Sequence, residues 1–272
     1  EIRLYYEFND VDIDRYHINN EYREVMISAR EMNANNLPSK SQTFINKKFK
    51  YTHGYGAVLN LVNEFTSGGL PNLLIKDIPP VSKYKELEIT QPEIYYGELS
   101  SEYVVVNSKE EEFDYPMGNK NMYTKYKGDG GVQISNTWRK LLYGWKLGGT
   151  RFFFSGYPTK ESRIMFHRHI LDRVKTIAPF LQFDADPYIV MDNGKLYWII
   201  DAYTTSNYYP YSEPFNSVGE NGNEKINFSQ NTEQLLSRSV LNKNYVRNSV
   251  KITVNAFNGD TQFYIYDEND PL

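Results

Sequence analysis

The chain has 272 residues, no cysteine, 30 Lys and Arg against 34 Asp and Glu, and a net charge of −4 at pH 7. That length can bury roughly three quarters of the unfolded surface without disulfide or metal support, and the missing thiols exclude cysteine nucleophiles and cysteine–zinc sites. A sequence pI near 5.7 argues against a general nucleic-acid or anionic-membrane surface, so no nucleic-acid partner is expected.

Residues 5–31 alternate weakly and predict two strands. Asp10, Asp12 and Asp14 suggest a calcium loop with Glu21 at its twelfth position. Arg15, however, stands where that loop needs glycine, so a solvated strand face is the reading. KSQTFINKKF, 40–49, predicts a short helix capped by Ser39 or Ser41. YTHGYGAVLNLV follows as a strand whose Gly54 and Gly56 let backbone pass close to another element. His53 and Tyr55, set among these glycines, are candidate ligand-binding residues. Residues 68–82, punctuated by Gly and Pro, predict irregular or edge structure. Residues 91–107 read as a hairpin around Ser100-Ser101, and EEFDYPMGNKNMYTKYKGDGG as a long polar loop.

Two helices are expected in the middle third. NTWRKLLYGWKLG, 136–148, is capped by Asn136 and ended by glycine. A second, over about 160–177, places Ile164, His167, Leu171, Val174 and Ile177 on one stripe. His167 and His169 are two apart, so on a helix they cannot share a metal.

The segment 184–214, DADPYIVMDNGKLYWIIDAYTTSNYYPYSEP, predicts a hairpin on Asn193-Gly194, the pair that best accepts positive φ at both central positions of a type I′ turn. Its register faces Met191 with Leu196, Val190 with Tyr197 and Ile189 with Trp198. Carried past Pro187, it sets Asp186 opposite Asp201 with Asp184 on the same face. Opposed like charges are unfavourable, so Asp184, Asp186 and Asp201 form a candidate site for a divalent cation, calcium or magnesium, unless an arginine such as Arg247 compensates them or the ladder frays. Beyond the hairpin, Tyr203, Thr204, Thr205 and Tyr208, with Arg247, are candidate ligand-binding residues for a sugar or peptide. Residues 216–240 are polar and Asn-rich and predict a mobile loop. A final hairpin on Asn258-Gly259 is expected to pair Val254 with Phe263 and to bury both.

No phosphate loop, dinucleotide glycine pattern or G-x-S-x-G occurs. Paired carboxylates, either the three aspartates or Glu93 with Glu98, are what remains for acid–base work on a glycan. No apolar run approaches the eighteen residues of a membrane span. The chain opens on Glu1 rather than Met, so its ends read as cut ends of a longer protein.

DRYHINNEYREVMISARE, NKKFKYTHGYGAVL, PEIYYGE, YVVVN, EFDYP, FDADPY, LYWIIDAYTTS, YPYSEP and YVRNSVK occur here in one order. The series resembles uncharacterised protein family 0182, large multi-pass prokaryotic membrane proteins. The chain departs from it at 216–240 and at His167-Arg168-His169. The resemblance implies an extracytoplasmic piece of a cell-membrane protein, with the membrane-embedded half of its own chain as partner, and it carries no catalytic residue. The expected fold is α+β, strand-rich, mainly antiparallel with several hairpins and a few amphipathic helices, integrated as one domain over 1–272. The expected role is non-catalytic binding of a ligand or a partner, a cell-surface glycan or protein included. A glycan-active enzyme is the alternative.

Overall fold

The computed structural model describes residues 6–8, 10–118, 120–147, 150–214 and 243–272. The segment expected to be a mobile loop, 216–240, lies outside the described residues. The fold is α+β and strand-rich, with mainly antiparallel sheets and few helices.

Strands β1 (Asp12–Ile18) and β2 (Glu21–Ala29) form the first hairpin. Asn19 and Asn20 turn it with φ of 51° and 65°, the left-handed conformation that asparagine accepts more readily than most residues. Next come a 3-10 turn at Ser39–Ser41 and a π-helical turn at Asn46–Lys50, where a short helix was expected. β3 (Gly54–Tyr55), β4 (Ala57–Phe65), β5 (Pro71–Lys76) and β6 (Val81–Ser82) follow, and one sheet runs β1-β2-β4-β5-β6. β7 (Glu93–Ile94) pairs with β3. β8 (Val104–Val106) precedes a hairpin of β9 (Glu112–Met117) and β10 (Lys120–Thr124). After β11 (Val132–Gln133) come α1 (Thr137–Leu147), α2 (Thr150–Phe154), β12 (Arg163–Met165) and α3 (Ile170–Ile177). The remaining strands are β13 (Gln182–Phe183), β14 (Tyr188–Asp192), β15 (Lys195–Ser206), β16 (Tyr245–Asn255) and β17 (Thr261–Ile265). They form a sheet in the order β13-β15-β16-β17, with β14 also on β15.

The chain divides into two compact units. The first comprises 1–170, 189–197 and 255–260, the second 171–188, 198–254 and 261–272. In the first unit Phe49, Val105, Ile134, Phe152 and Ile164 form a buried cluster that receives Tyr143 and Leu147 from α1. A second cluster there joins Tyr6, Met32, Leu37, Tyr51, Tyr55 and Phe113. Gly54 lies between strands so tightly that a Cβ would stand 2.2 Å from the Arg30 carbonyl oxygen, the close backbone approach its glycine suggested. In the second unit Trp198, Ile200, Ala202, Ile252 and Val254 are buried.

Four expectations are corrected. Residues 91–107 are no hairpin: β7 pairs with β3 and β8 with β12. The supposed polar loop after 110 is the β9·β10 hairpin, whose turn uses Gly118 at φ 58°. The second helix begins only at Ile170, because Ile164 pairs with Val105 in a sheet and His167 sits at φ 49°, outside the helical region. The last hairpin is shifted by two residues, with Val254 facing Thr261 and Ile252 facing Phe263. A six-residue turn closed by Asn255 N–H to the Asp260 carbonyl replaces the two-residue one. Val254 is buried, but Phe263 is 38% exposed.

Candidate functional site

Asn193 and Gly194 have φ of 48° and 76°, so the type I′ turn forms as its dipeptide predicts. Beyond Pro187, which has no N–H to donate, the ladder does not keep the register of the turn. β13 pairs Phe183 with Ala202, and Asp184 N–H donates to the Asp201 carbonyl. Asp184 rather than Asp186 therefore stands opposite Asp201, and the Asp184 and Asp201 side chains find separate partners. Asp184 accepts the Tyr203 hydroxyl at 2.9 Å and the Asp186 N–H at 3.3 Å. Asp201 accepts Lys251 Nζ on one oxygen and Asn248 Nδ2 at 3.0 Å on the other. The compensating cation is thus Lys251, and Arg247 pairs instead with Asp267.

Among the described residues no group of three or more His, Asp or Glu is arranged to hold a metal ion. Acid–base work on a glycan would need two carboxylates converging on a cleft, whereas Asp201 is engaged by Lys251 and Asn248. Lys251→Met is expected to lower stability by about 1–2 kcal/mol, since it leaves a half-buried carboxylate without its cation. Chelator should leave the melting temperature unchanged. A chelator-induced fall restored by calcium would overturn this assignment.

His53 and Tyr55 lie inside the first unit, both buried. His53 belongs to a polar network around Glu112. The Glu112 carboxylate is fully buried and accepts four bonds: Thr52 Oγ1 at 3.0 Å, Tyr95 OH at 2.9 Å, and the N–H groups of Asn107 and Tyr126 at 3.1 Å each. Thr52 gives its single hydroxyl proton to Glu112, so the 2.8 Å contact with His53 must be donated by His53 Nδ1. His53 Nε2 then faces Asp114 Oδ1 across 3.5 Å. Next to this lies Arg168, also buried, which donates to the carbonyls of Tyr95 and Thr52 at 2.6 Å each and of Glu102 at 3.0 Å. Burial lowers its pKa to about 10. These bonds fasten β3, β7, β8 and β9 to one another, and neither Glu112 nor Arg168 carried any signal in the sequence.

An open feature lies in the second unit, a groove of about 670 Å³ lined by Ile177, Phe180 and Leu181 on one side and Val250, Phe263 and Ile265 on another. Phe180 is 78% and Ile265 74% exposed. Thr204 and Ser249 also line it, and both donate to the Asp270 carboxylate, as does Tyr245 OH at 2.6 Å. Burial pushes the Asp270 pKa up, but these three hydroxyls outweigh it and hold it well below the usual carboxylate range. Of the sequence-predicted ligand residues only Thr204 lines this groove. Tyr203 is half-buried on Asp184, Thr205 is half-buried, Tyr208 is exposed, and Arg247 is held by Asp267. The groove exists because β17 is an edge strand whose apolar residues are not covered by a second layer among the described residues, and alternation alone cannot reveal that.

The model of the uncharacterised protein family UPF0182 matches residues 1–272. A UPF0182 protein of Desulforamulus reducens is 49% identical over 273 residues, covering 100% of this chain and 27% of that protein. One from Trichodesmium erythraeum is 49% identical over 278 residues, covering 100% and 29%, and one from Methanospirillum hungatei is 48% identical over 270 residues, covering 99% and 28%. The chain therefore belongs to family UPF0182 and spans less than a third of these relatives. No solved structure matches it.

Proposed function

We propose that this chain is a non-catalytic, extracytoplasmic binding domain of a multi-pass membrane protein, and that its groove receives an apolar segment from the membrane-embedded remainder of the same protein. One observation carries the reading: Ile177, Phe180, Phe263 and Ile265 leave an apolar groove of about 670 Å³ open, and contiguous apolar surface on a soluble domain marks an interaction site. The relatives supply the source of the occupant, since more than two thirds of their length lies outside the matched region.

The test uses the full-length protein of a relative, made cysteine-free. A cysteine at the position of Tyr208, which is 87% exposed here, should react with a membrane-impermeant thiol reagent on intact cells. Labelling only after lysis would sink the extracytoplasmic assignment. Separately, Phe180→Lys with Ile265→Lys should weaken association between the 272-residue chain and the co-expressed remainder by about tenfold or more. Folding should be untouched, because both side chains are exposed. Undiminished association would remove the groove as the docking site.

A further inference from the structure

We propose that α1 seats the first unit on an anionic lipid surface, with Trp138 and Trp145 at the boundary between headgroups and acyl chains. The helix is apolar on two sides. Its inward side, Tyr143 and Leu147 with the buried Gly144, packs against the cluster of Phe49, Val105, Ile134, Phe152 and Ile164. Its outward side holds Trp138, Leu141, Leu142 and Trp145, spaced i, i+3, i+4 and i+7, an arc of roughly 100° on a 3.6-residue helix. The two tryptophans are 73% and 85% exposed and the leucines 44% and 55%. A core-forming stripe with this spacing would be covered by protein; this one faces out.

Charge identifies the occupant. On a helix of 3.6 residues per turn Arg139 and Lys146, both exposed, border one edge of that arc, and residues 136–151 hold two further cations, Lys140 and Arg151, and no acid, in a chain whose net charge is −4. The acidic balance of the whole chain therefore does not describe this face. Cations bordering an apolar face of Trp and Leu are the composition of a helix lying in the plane of a bilayer interface. Tryptophan is enriched there because its indole ring is apolar while its N–H reaches the wet headgroup layer. Lysine and arginine stems cover apolar surface while their charges stay with the phosphates. A protein partner of the same shape would need matching acids and a complementary apolar groove; a lipid surface needs only phosphates and depth. The inference stands apart from the groove of the second unit and would survive its failure.

The test is sedimentation of the 272-residue chain with vesicles of phosphatidylcholine plus phosphatidylglycerol, and with vesicles of phosphatidylcholine alone. The mixed vesicles should bind the chain and the neutral ones much less. Raising salt should weaken binding. Lys146→Gln and Arg139→Gln should each cost about fivefold in affinity, and Trp138→Ser with Trp145→Ser more than tenfold. Indole emission should shift to the blue on binding and be quenched by lipids brominated near the headgroup. The third tryptophan, Trp198, is buried already and supplies a constant background. Melting temperatures of the variants should match the parent, as the altered side chains are at the surface. The proposal is overturned if the mixed vesicles do not sediment the chain, or if the double tryptophan variant binds as well as the parent. It is equally overturned if the chain is a dimer that the double variant dissociates while lipid binding is absent, which would make a second copy the occupant.

Discussion

Glu112→Ala should lower the stability of the chain by about 3–5 kcal/mol at neutral pH, the cost of removing one partner from a buried charged network. The four groups that Glu112 accepts, the Thr52 and Tyr95 hydroxyls and the Asn107 and Tyr126 N–H groups, would be stranded in an interior that water does not reach. A typical domain has on the order of 5–15 kcal/mol in total, so the variant should be partly unfolded at moderate temperature. Glu112→Gln should fall between, because its amide oxygen can serve two donors while its NH₂ confronts the other two. Thr52→Val should cost about 1–2 kcal/mol, since it strands His53 Nδ1 but leaves three of the donors to Glu112 in place. Urea unfolding followed by circular dichroism ranks the three. An alanine variant within about 1 kcal/mol of the parent would mean that the network is not holding the strands together.

The order of these effects could not have been read from the sequence, and the reason is physical. Signals that depend on a few adjacent residues were legible. Asn193-Gly194 makes its left-handed turn, Asn136 Oδ1 caps α1 by accepting the Arg139 N–H at 2.9 Å, and Gly54 sits where a backbone crosses. Signals that depend on distant partners were not. Glu112 and Thr52 are sixty residues apart in the chain, and Arg168 reaches Thr52 over 116. Only the closed fold reveals them as partners. The helices of the middle third were expected to be amphipathic, yet that expectation cannot say whether protein or solvent meets an apolar face, and α1 has two such faces. The register that set Asp186 opposite Asp201 was lost around Pro187, because a register inferred from a turn holds only while the ladder is continuous. His167 fitted the helical stripe but has φ 49°, so the helix starts after it.

The second large effect is a pH dependence set by Glu31. Its side chain is completely buried beneath Gly97, where an added Cβ would meet Glu31 Oε2 at 1.9 Å. The carboxylate accepts the Glu98 and Leu99 N–H groups at 3.0 Å each. Burial raises its pKa from 4.5 to about 7, against the lowering influence of those N–H groups and of Arg168. A carboxyl whose pKa is higher folded than unfolded keeps its proton in the native state while the unfolded chain has lost it. Its contribution is therefore fully present below pH 4.5 and is lost as pH rises toward 7. The span corresponds to about 3 kcal/mol. Asp270, held below the usual carboxylate range, works oppositely and loses its contribution as pH falls, so the parent's total profile mixes both. The comparison with Glu31→Gln separates them. The amide presents an N–H to one of the two backbone donors at every pH, a constant penalty, while the titrating proton is gone. Unfolding free energies measured from pH 4.5 to pH 7.5 should show the parent's advantage over the variant shrinking by about 3 kcal/mol, most of it between pH 5 and 7. A constant difference across that range would show that Glu31 is ionised throughout, with its two N–H donors and Arg168 outweighing its burial.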